Sequence, residues 1–135
     1  MKLNIRNVKA KAGMTLLELT VVILVLLSLI SILFVGARQW KKGSDRAGCI
    51  MLQRNIQQAV RGDQNMKGKN PGEAGLVAAR IIGSGGYIET TPTCPSTGVA
   101  FVLADGSYPA LSNLASPCPS IATETDHVPN SITGW

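Results

Sequence analysis

Residues 19–35 read LTVVILVLLSLISILFV, 17 consecutive residues without a charge, set between Glu18 and Gly36-Ala37-Arg38. With Met14 to Leu17 the tract reaches the roughly 20 residues that an α-helix needs to cross a bilayer. Thr20, Ser28 and Ser31 do not interrupt it, because a helix lets small hydroxyls bond to its own backbone. Ahead of the tract stand Lys2, Arg6, Lys9 and Lys11 with no acid among residues 1–13. That asymmetry predicts a leader held in the cytoplasm and a remainder on the other side of the membrane. Behind it, Arg38, Trp40, Lys41 and Lys42 read as an interfacial anchor, an aromatic ring with basic neighbours. A cleavable secretory signal has a shorter apolar region and then a small-residue site. Val35-Gly36-Ala37 imitates such a site, but the apolar region here is too long.

Composition narrows the rest. The chain has 135 residues, of which 45% are hydrophobic but only 4% aromatic, and the apolar tract holds much of that total. The remainder of the chain is small, polar and interrupted by Gly and Pro, the kind of region that needs a staple or a partner to fold. A large enzyme domain, a dinucleotide fold and a TIM barrel are excluded. The net charge of +5 belongs mostly to the leader; residues 14–135 hold nine Lys or Arg against eight Asp or Glu. A nucleic-acid-binding reading loses most of its support accordingly, the local cluster of Arg38, Lys41, Lys42 and Arg46 reading as basic residues flanking a membrane segment.

Beyond the tract, Cys49, Leu52, Ile56 and Val60 recur at helical spacing, with Gln53, Arg54, Gln57, Gln58 and Arg61 between them. This predicts one long helix over 14–61, with its membrane half at 14–37 and its second half amphipathic. Gly36, Gly43 and Gly48 are weak helix positions where bending is expected. Gly62, Asp63 and Asn65 end the helix, and 62–135 is the small domain. Asn70-Pro71-Gly72-Glu73 reads as a helix start, giving a helix over 71–82. Residues 99–103 read as a strand, Asp105-Gly106 as a two-residue turn and 107–111 as the returning strand, confined to an edge by Pro109. Residues 112–135 look irregular. The fold class is α+β: a long N-terminal helix with a small C-terminal domain containing a short helix and an antiparallel β-hairpin.

Little in the chain points to chemistry. There is no Gly-x-Ser-x-Gly, no P-loop and no metal-ligand spacing; His127 is the only histidine and reads as surface or structural. Asp105-Gly106 lacks the second acid of a calcium loop. The expectation is a protein that is not an enzyme and takes no metal or cofactor. The cysteines are Cys49, Cys94 and Cys118, so at most one bridge forms within the chain. Three pairings are open. Cys49 lies on the apolar helix face and reads as a small buried hydrophobe. Across an Asp105-Gly106 turn, Cys94 falls opposite Pro117, one residue from Cys118, a slip a bulge absorbs. A Cys94–Cys118 bridge is therefore expected; it would close about 25 residues, worth roughly 3.5 kcal/mol in the chain-entropy treatment.

Glu18 stands out, since an acid at mid-bilayer costs about 2.5–3.5 kcal/mol. At a helix start the cost is lower and the macrodipole favours an anion. Its context is more telling. Lys11-Ala12-Gly13-Met14-Thr15-Leu16-Leu17-Glu18-Leu19 resembles the N-terminal signature of type IV pilins and pseudopilins. The resemblance implies cleavage between Gly13 and Met14 by a prepilin peptidase, then N-methylation of Met14. It implies that Glu18, fifth in the mature chain, pairs with the amine of Met14 in its own or an adjacent subunit during assembly. A carboxylate and an amine in a low-dielectric place are far cheaper paired than apart. The implied partners are that peptidase and methyltransferase, like or related pilin subunits, an inner-membrane assembly platform and membrane lipid, with nucleic acid only indirectly through DNA uptake. The implied location is the bacterial inner membrane, single-pass, then a surface or periplasmic filament. A second resemblance, to the C-terminal region of some small bacterial pilin-like proteins, lies in Gly86-Tyr87-Ile88, Pro92-Thr93-Cys94-Pro95 and Cys118-Pro119. Ser96-Thr97-Gly98 and Val99-Ala100-Phe101 stand where such proteins often carry Gly-Gly-Thr-Tyr. The alternatives are a pseudopilin of a type II secretion system, an uncleaved signal-anchored binding module, and an exported domain cut after Ala37.

Overall fold

The computed structural model describes residue 13, residues 15–119 and residues 127–135. The leader over 1–12, Met14 and the tail segment 120–126 lie outside the described residues, and with them the expectations for the new N-terminus.

The first element, α1, is one helix of 51 residues, Leu16–Met66. The chain divides into two units, one through Arg38 and one from Gln39. In the first unit every residue from Leu16 to Val35 is exposed, and this half of α1 is long and apolar enough to cross a membrane. The hydroxyls of Thr20, Ser28 and Ser31 donate to the carbonyls of Leu17, Val25 and Leu27 at 2.9, 2.7 and 2.8 Å, so none is left unpaired on the apolar surface.

In the second unit α1 is the wall on which the small domain is built. Cys49, Ile56 and Val60 are fully buried, as their spacing predicts, and Leu76, Ile81, Cys94, Phe101, Tyr108 and Cys118 complete the core. The buried stripe is wider than the apolar pattern, because Gln53, Gln57, Asp63 and Gln64 are buried as well. The three glutamines pair with the backbone of loops. Gln57 accepts from the Ala115 amide at 2.8 Å and donates to the Asn113 carbonyl at 3.3 Å. Gln64 donates to the Lys69 carbonyl at 3.1 Å, and Arg61 reaches the carbonyls of Pro109 and Ala110. A buried backbone group must find a partner, and where no sheet supplies one a side chain does.

Strand β1, Ala74–Leu76, is followed by the short helix α2, Ala78–Ile81, and by strand β2, Gly106–Ser107. A short helix and a two-stranded antiparallel sheet are thus present as expected in kind, the helix shorter than expected and the sheet from a different pairing. The helix expected over 71–82 is reduced to α2. Glu73 does accept from the Asn70 amide at 2.9 Å, as a capping signature requires. Gly72 then takes φ +86°, which turns the chain out of a helix and into β1.

The hairpin centred on Asp105-Gly106 does not form. β1 pairs with β2 in the register Ala74↔Ser107 and Leu76↔Gly106, extended by bonds from the Tyr108 amide to Glu73 and from the Gly72 amide to Tyr108. The tight reversal lies upstream, over Pro95-Ser96-Thr97-Gly98. There the Cys94 amide donates to Val99, the Phe101 amide to Pro92, and Thr93 bridges Ala100. Pro opens that turn and Gly98, at φ +71°, closes it. Asp105 instead accepts from the Ala78 amide at 2.6 Å, at the start of α2.

Two contacts fix α2. Residues 83–88 fold back over it, with the amides of Tyr87 and Ile88 donating to Arg80 and Ile81. Gly86 allows this: a Cβ there would stand 2.9 Å from the Arg80 carbonyl oxygen and 3.2 Å from that of Ala79. Asp63, 2% exposed, accepts from Arg80 at 2.9 and 3.3 Å and from the Tyr108 hydroxyl at 2.6 Å. Arg80 also donates to the Gly75 carbonyl at 2.8 Å, which joins α1, β1 and α2 at one point. The Arg80 guanidinium holds the Asp63 carboxyl below the usual carboxylate range, opposed by burial and assisted by Tyr108.

Each contact has a measurable effect on stability. Gly86→Ala meets backbone on two sides and should cost about 1–3 kcal/mol in chemical unfolding of the detergent-solubilised protein; an unchanged midpoint contradicts the close approach. Asp63→Ala strips the buried Tyr108 hydroxyl of its acceptor and should cost about 1–3 kcal/mol at neutral pH. A depressed carboxyl stabilises above its unfolded value near pH 4 and loses that contribution as pH falls through the folded value. The gap between wild type and Asp63→Ala should therefore narrow below about pH 4. A gap that stays constant to pH 2 rules out the charged state of Asp63 as its source.

Candidate functional site

Gly13 and Glu18, the described residues expected to act in processing and assembly, stand at the start of α1. Gly13 is exposed, with no described atom within 4 Å of where a Cβ would stand. The described packing of the chain therefore does not demand a glycine at this position. Thr15 and Glu18 form a reciprocal cap. The Thr15 amide and hydroxyl donate to Glu18 Oε2 at 2.8 and 2.9 Å, and the Glu18 amide donates to Thr15 Oγ1 at 3.3 Å. This is the capping box, which satisfies two backbone donors that a helix start leaves unpaired. Glu18 thus has an intrachain role that needs no second subunit. The Met14 amine, its other expected partner, lies outside the described residues.

A second constellation lies within the small domain. The ligand atoms of Cys49, Cys94, Cys118 and His127 all lie within 4.8 Å of one another, and all four residues are buried. Each comes from a different piece of chain. Cys49 projects from α1 into the core. Cys94 opens the Pro95–Gly98 turn, and that turn rests against α1 at Gly48, where a Cβ would meet Pro95 Cγ at 3.1 Å. Gly48, a weak helix position in the sequence, is the point where the loop comes close to the helix. Cys118 is set by two anchors just before it: the Ala115 amide on Gln57, and the Ser116 hydroxyl on the Val102 carbonyl at 2.8 Å. His127 is held through its own carbonyl, which accepts from Gln53 Nε2 at 2.9 Å.

The distances within the cluster are uneven. Cys49 Sγ and Cys118 Sγ are 2.8 Å apart, and Cys94 Sγ and Cys118 Sγ are 3.8 Å apart. His127 Nδ1 lies 3.8 Å from Cys94 Sγ and 3.7 Å from Cys118 Sγ. A disulfide holds its sulfurs at about 2.05 Å. The expected partners Cys94 and Cys118 are brought together, although the register that suggested their pairing is absent and Cys49 stands closer to Cys118. Burial, and then the neighbouring Cys118, push the Cys49 thiol far above its ordinary value, while the Gln53 amide pulls the other way. Two chemistries suit three sulfurs and an imidazole nitrogen at these separations: a thiol–disulfide set, or coordination of a soft cation.

Cys49 is in the core, as its helical spacing predicts, whereas His127, expected to be surface or structural, is buried beside it although no ligand spacing marks the set. The members lie too far apart in the chain for a spacing rule, with 69 residues from Cys49 to Cys118 and 24 from Cys94 to Cys118. The one local signal is the repeated dipeptide, Cys94-Pro95 and Cys118-Pro119. Compared with known protein families, with curated proteins and with solved structures, the chain matches none.

Proposed function

We propose that the protein is a structural subunit of a type IV pilus-class filament, cut between Gly13 and Met14, N-methylated at Met14 and assembled through α1. One observation carries this reading: the signature Gly13-Met14-Thr15-Leu16-Leu17-Glu18 abuts the start of a helix whose first half buries nothing. An uninterrupted apolar surface needs an apolar environment on every side. A bilayer supplies one before assembly, and packed neighbouring helices supply one afterwards. The signature also lies at the cytoplasmic edge of that helix, within reach of a membrane peptidase on that side. In this reading the chain performs no catalysis; it is the substrate of the peptidase and methyltransferase, and its location is the inner membrane and then the filament. A pseudopilin of a secretion system is the second reading, favoured by the small size of the region after α1.

The capping box makes a sharper test of Glu18 available. Glu18→Gln keeps a side-chain oxygen to cap Thr15 but removes the charge, and Glu18→Val removes both. Both variants should still insert in the membrane. Both should be depleted from sheared filaments relative to wild type, because the neighbouring amine has lost its counter-charge. If Glu18→Gln enters filaments at the wild-type level while Glu18→Val does not, capping rather than charge pairing is what assembly requires. Gly13→Val should leave the leader attached and the protein confined to the membrane fraction; a Gly13→Val chain that still begins at Met14 contradicts the cleavage assignment.

A further inference from the structure

We propose that Cys49, Cys94, Cys118 and His127 bind one zinc ion in a closed four-ligand site, and that this ion fastens the loops of the small domain to the second half of α1. Three thiolates and one imidazole are a ligand set typical of structural zinc, which prefers a tetrahedron with Zn–S near 2.3 Å and Zn–N near 2.0 Å. Two sulfurs on one such ion stand about 3.8 Å apart, and a sulfur and a nitrogen about 3.6 Å apart. Cys94 and Cys118 are at 3.8 Å, and His127 Nδ1 is at 3.8 and 3.7 Å from their sulfurs. The Cys49–Cys118 separation of 2.8 Å must lengthen by about 1 Å, and Cys49 Sγ lies within 4.8 Å of the other two ligand atoms. A Cys49–Cys118 disulfide would close that edge by about 0.8 Å. It would not use Cys94 Sγ or His127 Nδ1, which stand 3.8 and 3.7 Å from Cys118 Sγ.

The surrounding groups favour the ion. The His127 carbonyl can only accept, so the Gln53 atom 2.9 Å from it is the amide nitrogen. The same nitrogen lies 3.5 Å from Cys49 Sγ, where it can donate to the sulfur as a thiol or as a metal-bound thiolate. Ser96 Oγ, 3.1 Å from Cys94 Sγ, is placed to donate in the same way. Binding breaks three S–H bonds and forms three Zn–S bonds, with the protons passing to solvent and the imidazole Nδ1 giving its lone pair. No electrons are transferred, so no oxidant is needed, whereas a disulfide needs a two-electron acceptor. A domain with two short strands is of the kind that relies on such a staple.

The experiment uses the full-length protein, extracted in detergent without reductant, incubated with excess zinc and desalted. One zinc per chain is expected by elemental mass spectrometry. All three cysteines should alkylate after denaturation and chelation with no reducing agent, and the unalkylated intact mass should be that of the fully reduced chain. Replacing zinc by cobalt should give thiolate-to-cobalt absorption with tetrahedral d–d bands. His127→Ala should weaken zinc binding by at least about 100-fold, and His127→Cys should retain it. If His127→Ala does not fold, the wild-type cobalt spectrum and His127→Cys decide. A peptide linking any two of the three cysteines, or a zinc content far below one per chain after loading, overturns the proposal.

Discussion

The small domain has strands of three and two residues, so most of its backbone amides and carbonyls have no sheet in which to pair. The second half of α1 supplies many of the missing partners. Gln53, Gln57, Arg61 and Gln64 stand at successive turns and bond to backbone at residues 127, 113, 115, 109, 110 and 69. Long amides suit this task, since each carries both a donor and an acceptor and reaches beyond the apolar stripe. The helix therefore does two things at once, burying Ile56 and Val60 and templating the loops laid over them. The Asp63–Arg80–Tyr108 junction extends the same logic to α2 and the sheet, with a carboxylate in place of an amide.

One helix thus carries two opposite surface chemistries along its length. From Leu19 through Val35 it carries no charge and buries nothing; from Cys49 onward it has one buried face on which glutamines and an aspartate stand beside the apolar residues. Under the proposed function the two halves answer to different neighbours, lipid or other helices for the first and this chain's own loops for the second. The capping box at Thr15 and Glu18 is consistent with such a division. It completes the helix start from within, so that the carboxylate need not stand unpaired before a second subunit arrives.

What the sequence made legible was what is local and apolar. The charge-free tract and the spacing of Cys49, Ile56 and Val60 each reflect a single physical cause, the transfer of hydrocarbon out of water. The polar half of the core was hidden, because glutamine on a helix face reads as solvated until the loops that need it are in place. The turn lies elsewhere than expected for a related reason. Asp105-Gly106 and Pro95–Gly98 both carry turn chemistry, and only the pairing of residues 106–108 with 72–76 decides between them. Gly72 overrode a helix start that Asn70 and Glu73 otherwise specify. The cysteine–histidine cluster is the least local feature of all. It exists because Gly48 lets one loop approach α1 and because Gln53 and Gln57 hold two others, and none of those requirements has a fixed spacing.

The central claim, that this chain is processed and built into a filament, is tested most directly by the N-terminal residue and intact mass of the protein isolated from its native membrane. The expected chain begins at Met14 and carries one methyl group on its amine. A chain that begins at Met1, as an uncleaved anchor would, or at Arg38, as an exported domain would, contradicts it.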